Sequence, residues 1–128
     1  AIDTVNKASD VLKVPHNKIV TVGFSQGGGV AFDAGTCVKG DVKAVVSLAG
    51  IIANGDCAAE VDGKTPNVLI VHNDADPLVG ADRIKAFQDK LTAGGYTSTL
   101  NEVKGEAHWP SPDGIQKAED FIVAQLGG

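Results

Sequence analysis

Apolar and polar residues follow one another along this chain in blocks, and the period changes from block to block. Ile2, Val5 and Leu12 fall at helical spacing, and Pro15 ends that segment. The run KIVTVGF between Lys18 and Phe24 is nearly continuous in apolar residues and predicts a buried strand. Residues 26–36 read as a helix with Val30, Ala31 and Ala34 on its inner face. VKAVVSL at 42–48 predicts a second strand and NVLIVH at 67–72 a third. Ile84, Phe87 and Leu91 mark a helix stopped by Gly94-Gly95, and a fourth strand covers 97–103. Ser111-Pro112 opens a last helix, with Ser111 as N-cap, Pro112 at the first position, and Ile115, Ala118, Ile122 and Leu126 as its apolar stripe. Residues 50–66 form a long connection without periodicity, and connections of that length are often functional.

Strand followed by helix, repeatedly, implies parallel strands joined by right-handed crossovers, with helices on both faces of the sheet. The fold class is therefore α/β. The 128 residues suit one domain, 1–128, large enough to bury a core without disulfide staples. No apolar run approaches the ~18 residues of a membrane span, and AIDTVNKASD lacks the basic and apolar regions of a signal peptide. The net charge of −5, with acids and bases interspersed, argues against nucleic acid or an anionic membrane as partner and reads as a solvated surface. There is no methionine, which leads us to expect a processed chain or part of a longer one. Cys37 and Cys57 form no CxxC and have no paired histidines nearby, so they suggest no metal site. They stand open between free thiols and a disulfide. A disulfide would point to an oxidising compartment, so localisation stays open between secreted and cytoplasmic.

The chemistry concentrates where the first strand meets its helix. Gly23-Phe24-Ser25-Gln26-Gly27 matches G-x-S-x-G, the nucleophile elbow. Such a turn needs strained dihedrals at the serine, and side chains at either glycine are expected to clash with neighbouring backbone. It projects the hydroxyl away from the sheet at a helix N-terminus, where the Gln26 N–H is placed to donate to a developing oxyanion. A serine at its free pKa is a poor nucleophile and needs a base. His16 lies before the first strand, at the opposite end of the sheet, and reads as a surface residue. His72 ends the third strand and reads as a packed, hydrogen-bonded structural group. His108, in GEAHWP after the fourth strand, leaves the sheet at the same end as Ser25 and is the preferred base. An imidazole in that role needs an acceptor to hold its tautomer. HNDADP at 72–77 supplies two, Asp74 and Asp76. Nucleophile, acid and base thus come in that order along the chain.

These segments together resemble the α/β-hydrolase superfamily. The chain is similar to the carboxyl-terminal portion of the phospholipase/carboxylesterase group, which includes acyl-protein thioesterases, and more loosely to dienelactone-hydrolase-like esterases. GFSQGG at 23–28, VVSLAG at 45–50, VLIVHNDADPLV at 68–79 and GEAHWP at 105–110 carry the resemblance, which runs over nearly the whole chain. It implies Ser25 as nucleophile, Asp76 rather than Asp74 as acid, His108 as base and Gln26 as one oxyanion donor. Asn73 stands where the resemblance leads one to expect glycine. The resemblance also implies further strands ahead of the 18–24 strand, and a second oxyanion donor from among them. That strand would otherwise be an apolar edge, so a covering segment, a second chain or a homo-oligomer is expected along it. For the cysteines, it sets Cys37 at the far end of the elbow helix and Cys57 in the long return loop, and leaves their pairing open.

The sequence thus implies a serine esterase acting on a small-molecule or lipid ester or thioester, through an acyl-enzyme on Ser25, with no cofactor and no metal. The 50–66 loop is expected to contribute the acyl pocket, with Leu78, Val79 and Trp109 as apolar lining. The alternatives are a non-catalytic interaction or scaffold subunit keeping a hydrolase half-fold, and a peptidase of the same fold.

Overall fold

The structure, a computed structural model, describes residues 2–37, 42–50 and 66–127. Its elements run α1 (Ile2–Leu12), a 3₁₀ turn (His16–Lys18), β1 (Val20–Phe24), α2 (Gln26–Cys37), β2 (Ala44–Leu48), β3 (Asn67–Asn73), α3 (Ala81–Ala93), β4 (Ser98–Val103) and α4 (Pro112–Gln125). The strands form one sheet in the order β1-β2-β3-β4, and every pairing is parallel. Each predicted element is present. The first strand is shorter than expected because the 3₁₀ turn takes up Lys18.

Side chains of successive strand residues point to opposite faces, and the two faces pack different helices. Val45, Val68 and Ile70 join Ala31 and Phe32 of α2 and Ile84, Phe87 and Leu91 of α3 in one core. Phe32 is its hub, edge-on to Phe87 with ring centroids 5.2 Å apart and tilted against Tyr96 at 5.8 Å. On the other face, Val46, Leu48, Leu69 and Val71 pack against Ala118 of α4, with Phe121 and Ile122 beside them. Strands added in one direction with right-handed crossovers keep their crossover helices on one face. Following the last strand, α4 is free to cover the other. Ser111 caps it by accepting the Gly114 N–H at 3.1 Å, with Pro112 in the first turn, as the sequence predicts.

Three expectations about faces are corrected. Val30 is 52% exposed; Gly28, Ala31, Phe32 and Gly35 face the sheet instead. The reason is close approach, since a Cβ on Gly35 would lie 2.4 Å from Val45 Cγ2. On α4, Ile115 and Leu126 are exposed, and Gly114 and Phe121 take their places beside Ala118 and Ile122. On α1, Leu12 is exposed together with Val11. Within β1, Val20 packs on the α4-side core, whereas Val22 is 48% and Phe24 38% exposed. β1 is an edge of the sheet among the described residues. No helix among them is long and apolar enough to cross a membrane. The 50–66 connection (but for its first and last residues), Cys57 and the Cys37 side chain lie outside the described residues.

The expected clash at both glycines of the elbow holds for only one of them. A Cβ on Gly23 would lie 1.8 Å from the Gly27 carbonyl oxygen, while one on Gly27 meets nothing within 4 Å among the described residues. Backbone on backbone cannot be relieved by a rotamer. We predict that Gly23→Ala destabilises the fold by about 3 kcal/mol, and that Gly27→Ala changes stability by no more than about 1 kcal/mol, since alanine is the better helix former. Urea denaturation of the two variants side by side measures the difference.

Candidate active site

β1 ends at Phe24 and α2 begins at Gln26, so the whole change of direction falls on Ser25. Its φ is 57°, in the left-handed region that L-residues other than Asn and Asp seldom enter. Two bonds hold the corner. The Ser25 N–H donates to Leu48 O on β2 at 2.9 Å, and Ser25 O accepts the Gly28 N–H at 2.9 Å. With its own N–H used, Ser25 presents the hydroxyl. The next N–H, that of Gln26, sits in the first turn of α2, where a helix leaves its donors without intrahelical partners.

The three groups singled out at the carboxyl ends of β1, β3 and β4 meet. His108 Nε2 lies 2.8 Å from Ser25 Oγ, and His108 Nδ1 lies 2.7 Å from Asp76 Oδ2. The Asp76 carboxylate is shielded from solvent, and the imidazole is 16% exposed. With Nδ1 protonated and donating to Asp76, Nε2 is left to accept from the serine hydroxyl. Asp74 is elsewhere: its Oδ1 accepts the Gly105 N–H at 2.7 Å, tying the loop after β3 to the loop after β4.

The other oxygen of Asp76 is equally occupied. Oδ1 accepts the Leu78 N–H at 2.8 Å and the Val79 N–H at 3.2 Å. This is the turn that an Asp-Pro dipeptide favours, and the dipeptide is a sequence cue for Asp76 over Asp74. Burial pushes the Asp76 carboxyl up, but the hydrogen bond with His108 and the two backbone N–H groups outweigh it, and the carboxyl titrates below its ordinary 3.8.

The surrounding side chains divide by depth. His72 is buried, as expected, and donates from Nε2 to Val79 O at 2.8 Å. His16 lies in the turn before β1, with Nε2 3.1 Å from Asn6 Oδ1. Leu78 and Trp109 stand exposed beside Asp76 and His108. Val79 is 1% exposed and belongs to the core with Ile84 and Phe87, so its side chain is removed from any surface a ligand reaches. Its backbone serves the site instead. Sequence reasoning passed over Phe24, whose ring lies 5.2 Å from the imidazole of His108. Its place next to Ser25 was the only cue. The described residues include no cluster of metal-ligating side chains.

The lowered value of Asp76 fixes the sign of one pH effect. Between its folded and unfolded values the unfolded chain binds more protons, so stability rises with pH there. The Asp76 contribution is complete above the unfolded value of about 3.9, and is lost as pH falls through the lower folded value. Asp76→Asn should therefore flatten the acid limb of a stability profile measured by urea denaturation.

A profile of the phospholipase/carboxylesterase family matches residues 2–126. Acyl-protein thioesterase 1 of Neurospora crassa is 28% identical over 119 residues, covering 88% of this chain and 48% of that protein. Its namesake from Gibberella zeae is 27% identical over 115 residues, covering 85% and 48%. Among solved structures, esterase PE8 superposes with a TM-score of 0.87 at 25% identity, covering 98% of this chain and 58% of that one. The chain spans about half the length of the curated relatives it matches. With a parallel sheet, an abrupt serine corner after β1 and a family profile that spans nearly all of it, this chain belongs to the phospholipase/carboxylesterase family.

Proposed function

We propose that the chain carries the catalytic groups of a serine hydrolase that cleaves carboxylic esters or thioesters through an acyl-enzyme on Ser25. The observation that supports this most is the continuous line from Ser25 Oγ through His108 to Asp76, with contacts of 2.8 and 2.7 Å. In this reading His108 Nε2 takes the serine proton as Oγ attacks the carbonyl carbon. Asp76 stabilises the imidazolium through Nδ1–H and itself stays ionised. The Gln26 N–H donates to the oxyanion of the tetrahedral intermediate. Collapse expels the alcohol or thiol, which takes its proton from His108. Water, deprotonated by His108, then releases the acid and regenerates Ser25. Leu78 and Trp109, with Phe24, form the apolar rim against which the substrate rests. No step calls for a cofactor or a metal.

The reading includes a further segment along β1. Among the described residues that strand is an edge with Val22 and Phe24 exposed, and the matched relatives are about twice as long as the stretch they share with this chain. A segment there, whether of a longer chain, a second chain or another copy, would cover the apolar edge and supply the second oxyanion N–H. Losing one such donor costs about 10²–10³ in rate. Intact mass and light scattering of the purified protein test this. A single 128-residue species that is monomeric and stable would exclude the covering segment.

The enzymatic reading is tested on the assembled protein. A fluorophosphonate probe should label it, and Ser25→Ala should abolish labelling and lower kcat on a p-nitrophenyl ester at least about 10⁴-fold. No labelling of any form would leave a non-catalytic subunit that keeps the hydrolase half-fold as the better account.

A further inference from the structure

Asn73 has a backbone that any residue could adopt. It is the last residue of β3, in register with Val103, and it is not among the residues with positive φ. The main chain therefore gives no reason for asparagine at this position. The side chain does. It is 1% exposed, and its amide group donates twice, to Ala107 O at 2.6 Å and to Trp109 O at 2.8 Å. An asparagine amide has two N–H groups, so each carbonyl receives one.

Those carbonyls belong to the residues on either side of His108. The start of the same loop is tied independently, by Ala75 N–H to Glu106 O at 3.0 Å and by Gly105 N–H to Asp74 Oδ1. Beyond Glu106 the loop folds back on itself, with the Trp109 N–H on Ala107 O at 3.1 Å and the Trp109 indole N–H on the Glu106 carboxylate. Among these contacts, the amide of Asn73 is the one that fixes the residues flanking His108 to the sheet.

We propose that Asn73 is a positioning residue for His108. By clamping the carbonyls before and after it, the amide holds the imidazole with Nδ1 on Asp76 and Nε2 on Ser25. The catalytic consequence rests on the hydrolase reading given above; the clamp itself does not. A displacement of about 1 Å at such a base is enough to cost as much as 10²-fold in rate.

The test compares Asn73→Ser, Asn73→Ala and Asn73→Asp in the intact protein. Aspartate keeps the shape but turns carboxylate oxygens towards two carbonyl oxygens. Alanine leaves room for water to bridge them, and serine keeps one donor. The expected order of kcat is Asn, Ser, Ala, Asp, with a loss of about 10- to 100-fold for alanine and KM nearly unchanged. A side chain that only filled space would place aspartate above alanine. The second readout needs no turnover: in histidine-labelled protein, the His108 Nδ1–H resonance should broaden or vanish in the alanine and aspartate variants. Should aspartate prevent folding, serine and alanine carry the comparison. Parental kcat and an unchanged Nδ1–H resonance in the alanine variant would overturn the clamp and leave the hydrolase reading standing. If the parent itself turned over no ester, the hydrolase reading would fail, and the resonance alone would decide the clamp.

Discussion

One close approach governs the end of the sheet where Ser25, His108 and Asp76 meet. Where β1 passes into α2, the backbone at Gly23 runs so near the Gly27 carbonyl that a single Cβ cannot fit between them. The chain can turn within one residue only because that space is empty of side chains. Ser25 then takes up the entire reversal at a φ of 57°. A residue held this way cannot relax into the strand or the helix, and strain of this kind persists only where the surroundings over-determine it. Here the Leu48 carbonyl, on the neighbouring strand, holds the Ser25 N–H. The serine is thus fixed by the sheet itself and not by a mobile loop.

Asp76 and His108, by contrast, sit on loops, and β3 fastens both. Successive residues at the end of a strand point to opposite faces. His72 is buried against Val79 O beneath the turn of Asp76, and Asn73 grips the loop that carries His108. Asp74 adds a third tie from the same strand end, to Gly105. β3 pairs on both sides, with β2 and β4, so these anchors stand on a central strand. Loops bonded in this way behave as extensions of the scaffold, which is what the proposed proton relay, with contacts of 2.7 and 2.8 Å, requires.

A buried carboxylate beside an imidazole is tolerable only when its lone pairs are used. Asp76 spends one oxygen on His108 and the other on two backbone N–H groups. Those bonds favour the charged form strongly enough to overcome burial. Val79 shows how economically this is done. Its side chain anchors the turn in the core, its N–H donates to Asp76, and its carbonyl receives His72.

Much of this is written in the sequence, because periodicity, glycine spacing and chain order are local properties. The α/β alternation, the parallel strands, the capped last helix and the Ser25, Asp76, His108 series follow from residue types at fixed separations and from a resemblance carried by short segments. Faces were harder to read. Val30 and Ile115 look like core residues, yet glycines at 28, 35 and 114 bring the helices so close to the sheet that neighbouring positions face it instead. Val79 looks like pocket lining and is core, because turn geometry, not hydrophobicity, decides which way a loop residue points. The sequence marks Asn73 only as standing for an expected glycine and gives no sign of its partners. Its two acceptors lie more than thirty residues away, and only the folded sheet brings the end of β3 under the loop of His108.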